Sequence, residues 1–325
     1  MKRIGIILIL LSGMLCRVSQ SAEYPQAEIS NGILKAHIYL PDKENSFYNA
    51  TRFDWSGVIS SLTYKGHTYF GKWNDEENPL PDAAITGPVE AYFPLNYSEV
   101  GVGGHFIKIG VGTLVKVSDE KHADLNSFPI ADLGKWKIKK KADEVQFIHV
   151  LHADDYSYEY RKTVHLVADQ PTMVISHSLK NTGKKRIDTF GYNHNFFVID
   201  NQPIDKGFEL TFPVNVSGVG RGSGDIFEIR GNKIIFKRVM DESETFACKY
   251  LEGLKSVKDF DVRLDNLNTG AGVRITVNQP LSRFRLWGNS KTVCPETYID
   301  LKIEPGEEFS WSYFYEFYES DSMSQ

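Results

Sequence analysis

Residues 158–183, YEYRKTVHLVADQPTMVISHSLKNTG, decide the fold of this chain. Tyr158 to Val167 and Thr172 to Leu179 alternate polar and apolar side chains, which is the pattern of a half-buried β-strand. Asn181-Thr-Gly183 then supplies residue types that favour a tight turn. The stretch therefore predicts two neighbouring strands, with a turn after the second.

The same alternation recurs along most of the chain, and no long stretch carries the apolar stripe of a helix. A hydrophobic content of 41% is enough for a packed core. We therefore expect an all-β protein, with residues 23–325 forming one large antiparallel two-sheet β-sandwich. The other clearest strands are Leu34–Leu40, Val145–Leu151, Lys233–Val239, Gly272–Val277 and Phe309–Tyr318.

Residues 1–22 have the features of a secretory signal peptide. A basic start precedes an apolar run that is too short to span a bilayer, and Ala22 is a small residue suited to cleavage. We expect an exported protein, periplasmic or secreted, whose mature chain begins near residue 23 and has no membrane span. Lipidation at Cys16 remains an alternative, although the residue before it is not small.

The charge of the chain argues against binding to nucleic acid. Lys and Arg number 37 against 42 Asp and Glu, a net charge of −5, so there is no general basic field to attract a phosphate backbone. Cys248 and Cys294 remain after the signal peptide. In an exported protein they form either one disulfide or two buried thiols, and the sequence leaves both open.

His194 is the most unusual histidine. It lies in TFGYNHNFFV, residues 189–198, with Asn193 and Asn195 on either side. On a strand the two amides share one face and His194 points to the other. This arrangement is more typical of a polar cleft floor than of a dry core.

The other strand histidines favour simpler interpretations. His149 and His152 are three residues apart, so on a strand they face opposite sides and do not share a metal. His37, His165 and His177 lie inside alternating segments, which predicts half-exposed side chains. We therefore predict no metal site.

Glu296 lies in the second unusual segment, Cys294-Pro-Glu-Thr297. Pro295 interrupts the hydrogen bonding of a strand, and a carboxylate at such a break often faces a pocket. Taken alone, Glu296 is also compatible with an ordinary surface position.

Four segments, in their order and spacing, resemble the aldose 1-epimerase (galactose mutarotase) superfamily: Ser178–Gly183, Tyr192–Phe196, Cys294–Thr297 and Ile303–Glu307. Asp54–Gly66 is similar to the first hairpin of that family. The resemblance implies the large galactose mutarotase-like sandwich, or supersandwich. The family's Gly-Arg-x-x-Asn-Arg and Leu-His-Gly-Gly stretches are missing here, which indicates a divergent branch.

The resemblance also implies a reaction. Glu296 would take the proton of the C1 hydroxyl of a sugar, and His194 would donate a proton to the ring oxygen. Opening and reclosing the ring then interconverts the two anomers. An acid and a base suffice for this chemistry, so we expect a mono- or oligosaccharide substrate and no metal or organic cofactor.

Candidate sugar ligands complete the predicted site. The resemblance implies a second histidine and an arginine from an early loop, for which His105 and Arg52 are the candidates. Tyr192 is a candidate stacking platform, and Asn193 and Arg285 are candidate partners for hydroxyl groups. Further candidates of the same kinds are Trp55, Trp73, Trp287 and Asn289.

Two other functions remain open from the sequence. A sandwich of this kind also serves non-catalytic carbohydrate-binding proteins, because a fold alone does not fix function. A polysaccharide lyase or glycosidase would use other carboxylates. The candidates for that role are Glu90, Glu99, Asp154 and Asp155. The sequence does not indicate the oligomeric state.

Overall fold

The computed structural model describes residues 24–74, 84–119, 127–153 and 155–320. The predicted signal peptide with Cys16, and Asp154, lie outside the described residues. Within them the chain is built from β-strands, with a short 3-10 turn at Val257–Asp259 and no α-helix.

The alternating segments of the sequence form strands within one to three residues of the predicted bounds, and the all-β prediction is confirmed. Side chains at every second position are buried, as the alternation predicts. In chain order the strands are β1 (Gln26–Ser30), β2 (Leu34–Tyr39), β3 (Val58–Tyr64), β4 (His67–Thr68), β5 (Gly87–Tyr92), β6 (His105–Lys108), β7 (Gly112–Val115), β8 (Ile130–Asp132), β9 (Lys135–Lys140), β10 (Glu144–Leu151), β11 (Tyr158–Leu166), β12 (Thr172–Asn181), β13 (Ile187–Phe196), β14 (Phe208–Thr211), β15 (Phe227–Arg230), β16 (Lys233–Phe236), β17 (Thr245–Cys248), β18 (Asp261–Asn266), β19 (Ala271–Val277), β20 (Arg283–Asn289), β21 (Val293–Ile303) and β22 (Glu308–Glu319).

Two large antiparallel sheets form the sandwich. The first has ten strands in the order β15-β16-β14-β18-β19-β22-β12-β11-β10-β9, and the second has five in the order β17-β20-β21-β13-β5. Strands β11 and β12 pair antiparallel in the larger sheet, where β11 is the third strand from the β9 edge. Their inward side chains, such as Val164 and Ile175, share one buried core with Ile299 and Leu301 of the smaller sheet.

The two-sheet prediction is incomplete, because two smaller sheets lie beside the sandwich. Strands β1 to β4 form one of them, and β6 to β8 form the other. The first adjoins the five-stranded sheet, where Thr86 Oγ1 donates a hydrogen bond to the Ile59 carbonyl oxygen over 3.0 Å. Alternation predicts strands but not which sheet each joins, because pairing depends on contacts distant in sequence.

A second apolar cluster covers the outer face of the five-stranded sheet. It joins Tyr192 and Phe196 of β13 to Phe53 and Trp55 from the loop before β3, and to Phe106 of β6. The outer face of this sheet is therefore covered by these loop and strand side chains, called the roof below, rather than open to solvent. The candidate site lies beneath this roof.

Candidate functional site

Strand register brings the two predicted catalytic residues together. His194 on β13 is directly opposite Glu296 on β21, and Glu296 is directly opposite Arg285 on β20. Cross-strand partners point to the same face of a sheet. The three side chains form a row, with His194 Nε2 3.5 Å and Arg285 Nε 3.8 Å from the same Glu296 oxygen, Oε1.

The next row of the sheet supports the carboxylate. Tyr298 lies two residues beyond Glu296 on β21 and donates a hydrogen bond from its hydroxyl to Glu296 Oε2 over 3.0 Å. The ring of Tyr298 stacks on Tyr192, with centroids 4.9 Å apart, and the Arg283 guanidinium lies 4.3 Å from its centroid. Tyr298 and Arg283 did not appear among the predicted site residues, although alternation from Glu296 and Arg285 places them on the same face.

Aromatic rings fix the orientation of the imidazole. Phe196, two residues along β13, stacks on the His194 ring at 4.0 Å. Phe53 and Trp287 present their edges to the same ring, at 5.8 and 5.7 Å. Because apolar atoms surround it, the side chain of His194 has little freedom to rotate.

Arg52 approaches from the loop before β3, as the resemblance implied. Its Nε and Nη2 lie 3.4 and 3.3 Å from the Tyr192 hydroxyl, which accepts both hydrogen bonds. Its guanidinium also lies 4.7 Å from the Phe53 ring centroid. Arg52 and Arg285 are both partly exposed, so His194 and Glu296 have a guanidinium from the loop and another from β20 nearby.

Burial shifts both titratable groups towards neutral forms. Only 3% of His194 and 2% of Glu296 is exposed. Burial, together with the charges of Arg52 and Arg285, moves the pKa of His194 well below its usual range. Burial raises the pKa of Glu296, while Arg285 and the Tyr298 hydroxyl oppose that rise. Burial thus disfavours the charged form of each group.

One nitrogen of the imidazole is unused. Among the described residues, His194 Nδ1 has no hydrogen-bond partner although it is buried. Buried polar atoms of folded proteins are nearly always paired, so this atom is a candidate contact for a bound molecule.

The structure does not bring two of the predicted sugar ligands to this face. Asn193 lies on the opposite face of β13 and is fully buried, so its assignment as a sugar ligand is corrected. Register explains this, because neighbouring strand residues alternate between faces. His105 is exposed at the start of β6 and borders a separate cavity of about 460 Å³ with Tyr156 and Lys185.

The predicted tryptophan platforms differ in their placement. Trp55 is buried and donates its indole N–H to the Ala50 carbonyl oxygen over 2.8 Å, which makes it part of the roof. Trp287 and Trp73 are partly exposed and pack edge to face at 5.6 Å, and Trp287 lies beside His194. Asn289 donates to the Trp73 carbonyl oxygen over 3.3 Å.

A buried charge cluster lies behind β13, and the sequence did not predict it. Lys162 on β11 is fully buried, forms an ion pair with Glu90 of β5, and lies 3.8 Å from Asp54. His177 on β12 contacts Glu90 at 3.3 Å. Burial raises the pKa of Asp54 to about 6, whereas Lys162 and His177 outweigh burial and hold that of Glu90 at about 2. Glu90 is therefore the main counter-charge of Lys162.

Hydrogen bonds join this cluster to the strand that carries His194. Asn193 Nδ2 donates to Glu90 Oε1 over 2.9 Å, and the Tyr315 hydroxyl lies 3.1 Å from Asn193 Oδ1 and 2.8 Å from Asn195 Oδ1. The expectation that His177 is half-exposed is wrong, because it faces inward in this network.

Gly110 fits closely against the cluster. It has a φ of +75°, and a Cβ atom there would lie 2.5 Å from Asp54 Oδ1. No other residue type fits both the backbone conformation and the space.

Cys248 and Cys294 are both buried and free, so the open question of a disulfide is settled as two thiols. Within the described part of the chain, no group of three or more His, Cys, Asp or Glu side chains is arranged to hold a metal ion. In the same residues no helix has the length and apolar character needed to cross a bilayer.

The sandwich has a galactose mutarotase-like fold, as its similarity to solved structures shows. A putative aldose 1-epimerase from Escherichia coli K12 has a similar structure, with a TM-score of 0.54 and 13% identity over 90% of this chain and 99% of that chain. A galactose mutarotase-like protein from Lactobacillus casei has a TM-score of 0.55 and 14% identity, over 90% and 100% of the two chains. For an aldose epimerase homologue from Caenorhabditis elegans these values are 0.52 and 11%, over 92% and 100%.

No protein-family model and no curated protein sequence matches the chain. The predicted resemblance is thus confirmed for the fold, and the low identities mark a divergent example of it.

Proposed function

We propose that this protein is an exported aldose 1-epimerase that interconverts the anomers of a sugar. The observation that carries the proposal is the direct cross-strand pairing of His194 with Glu296. A carboxylate and an imidazole whose nearest atoms are 3.5 Å apart are able to contact adjacent oxygens of one sugar ring. The C1 hydroxyl and the ring oxygen are bonded to the same carbon, so their separation suits such a pair.

The proton balance assigns a role to each group. Glu296 takes the proton of the C1 hydroxyl while His194, in its protonated form, donates a proton to the ring oxygen. The bond between C1 and the ring oxygen breaks and a carbonyl forms at C1. After rotation about the adjacent carbon–carbon bond, the C5 hydroxyl attacks the other face of the carbonyl. His194 then recovers its proton, and Glu296 returns the one it took.

The surroundings of Glu296 and His194 act on the charge of each group. Burial raises the pKa of Glu296 and lowers that of His194. Burial therefore disfavours the ionised Glu296 and the protonated His194 that the proton transfer uses. Arg285, 3.8 Å from the carboxylate, favours its ionised form.

The placement of other carboxylates favours this function over glycoside hydrolysis. Glycosidases need two carboxyl groups about 5 to 9.5 Å apart across the scissile bond. Glu90 lies behind the sheet, paired with Lys162, and Glu99 and Asp155 both contact Lys185 beside the separate cavity. None of these three shares the face of Glu296.

The rate at which the two anomers of a sugar interconvert tests the proposal. NMR exchange spectroscopy or polarimetry on freshly dissolved sugars measures the rate with and without protein. We expect Glu296→Gln and His194→Gln each to lower the catalysed rate by about 10²- to 10⁴-fold. Glu99→Gln, at an exposed carboxylate, is the matched control and should leave the rate unchanged.

Sugar binding without any anomeric exchange would contradict the proposed epimerase activity and support a carbohydrate-binding function instead. Shortened polymer chains would indicate a lyase or a hydrolase. Melting temperatures of the variants show whether a lost rate reflects chemistry or unfolding.

A further inference from the structure

A cavity of about 580 Å³ lies on the outer face of the five-stranded sheet, next to the catalytic row. It exists because the edge strand β17 ends opposite Leu286, while β20 continues to Arg283. Beyond Cys248 the chain leaves the sheet and returns only at Leu251, whose N–H donates to the Phe284 carbonyl oxygen over 3.3 Å. The space left beside β20 is the cavity.

The walls of the cavity combine aromatic rings with charged groups. Tyr250 is 65% exposed and borders the cavity, opposite Phe190 of β13. Arg283 lies between them, with its guanidinium 5.7 Å from the Phe190 centroid and 5.8 Å from the Tyr250 centroid. Glu252 and Asp300 add carboxylates. Exposed rings with hydrogen-bonding groups at the rim suit the apolar faces and the hydroxyl groups of a sugar.

The cavity lies on the same face of the five-stranded sheet as the catalytic pair, further along the strands. Asp300 lies four residues after Glu296 on β21 and faces the same side, about 13 Å along the strand at the usual rise per residue. Tyr298 lies between the two. Its hydroxyl donates a hydrogen bond to Glu296, and the Arg283 guanidinium packs over its ring. Arg283 therefore contacts both the support of the catalytic carboxylate and the cavity.

We propose that this cavity binds the sugar unit next to the reducing end, so that the substrate is a disaccharide or a longer oligosaccharide. The assignment of the reducing end to Glu296 and His194 rests on the proposed function. The cavity itself does not, because its volume, rings and charges lie outside the catalytic row. A monosaccharide at the catalytic pair would leave these walls without a contact.

The test measures binding by titration calorimetry on Glu296→Gln, in which turnover is suppressed. The probes are glucose and galactose, compared with maltose, cellobiose and lactose. We expect at least one disaccharide to bind more tightly than either monosaccharide. Tyr250→Ala in the same background should weaken disaccharide binding by about two- to tenfold and leave monosaccharide binding unchanged.

Two matched variants control for indirect effects. Tyr250→Phe keeps the ring and should retain the binding of the disaccharide. His105→Ala alters the separate cavity of about 460 Å³ and should change nothing. Equal affinity for mono- and disaccharides, no binding of any disaccharide, or insensitivity to Tyr250→Ala would each overturn the proposal.

The outcomes also separate the two proposals. Disaccharide binding that depends on Tyr250, in a protein that does not exchange anomers, would support sugar binding by the cavity and refute the epimerase activity. Exchange of monosaccharide anomers, together with disaccharide binding that Tyr250→Ala does not change, would support the epimerase activity and refute sugar binding by the cavity.

Discussion

Asn193, the residue before His194 on β13, donates a hydrogen bond from its amide nitrogen to the Glu90 carboxylate over 2.9 Å, on the face of the strand opposite the imidazole. Through Glu90 this amide is tied to Lys162 on the opposite sheet. The strand that presents the imidazole to one face is therefore fastened on its other face to a buried ion pair. The charge cluster fixes the position of β13 relative to the ten-stranded sheet.

Removing the buried ammonium should destabilise the fold strongly. Lys162→Met leaves Glu90 and Asp54 without their cation between the sheets, and loss of one partner of a buried pair costs about 3 to 5 kcal/mol. Urea unfolding measures the change. Lys185→Met is the control, because this exposed lysine contacts Glu99 and Asp155 at the surface, where a pair contributes about 1 kcal/mol or less. Equal losses in the two variants would contradict a structural role for the cluster.

The pH profile of the catalysed exchange should respond to Arg285. Because one group acts as base and the other as acid, we expect a bell-shaped profile. The positive charge of Arg285 lowers the pKa of both His194 and Glu296. In Arg285→Met both limbs should therefore move to higher pH. Limbs that stay in place, or move to lower pH, would show that these two groups do not set the profile.

Acid should destabilise the protein partly through His149. This side chain stacks on Trp136 at 4.1 Å, and burial lowers its pKa to about 4. The unfolded chain binds this proton near pH 6.5, so the contribution to stability is complete above pH 6.5 and is lost as the pH falls towards 4. The loss is on the order of 3 kcal/mol.

His149→Phe isolates that contribution, because it keeps the stacked ring and removes the titration. Unfolding free energies from pH 7 to pH 4 should fall more steeply for the parent protein than for the variant. Parallel curves would mean that His149 titrates normally in the folded protein. The comparison of slopes does not depend on how much the variant loses at neutral pH.

The sequence predicted the strands well because alternation is a local signal. The segments that form β11, β12 and β22 were all recognised, and so was the placement of His194 on the opposite face from its two flanking amides. Glu296 was found through a resemblance, since its own neighbourhood was also compatible with the surface. Its contact with His194 depends on a strand register that joins positions about one hundred residues apart.

The sequence contains a signal for the buried charge cluster. Lys162 and His177 occupy inward positions of their strands, between residues such as Tyr160 and Ile175 that are plainly core. A charged side chain in the apolar phase of a strand indicates a buried partner. The sequence could not identify Glu90 as that partner, because β5 belongs to the other sheet and only tertiary packing brings it near.

The alternation of β13 limits how this region is able to evolve. Its odd and even positions serve two separate environments, amides towards the ion pair and the imidazole towards the roof. Inserting or deleting one residue before His194 would exchange the two sets in a single step. Viable length changes near this strand should therefore accumulate in the flanking loops, and the strand itself should diverge by substitution alone.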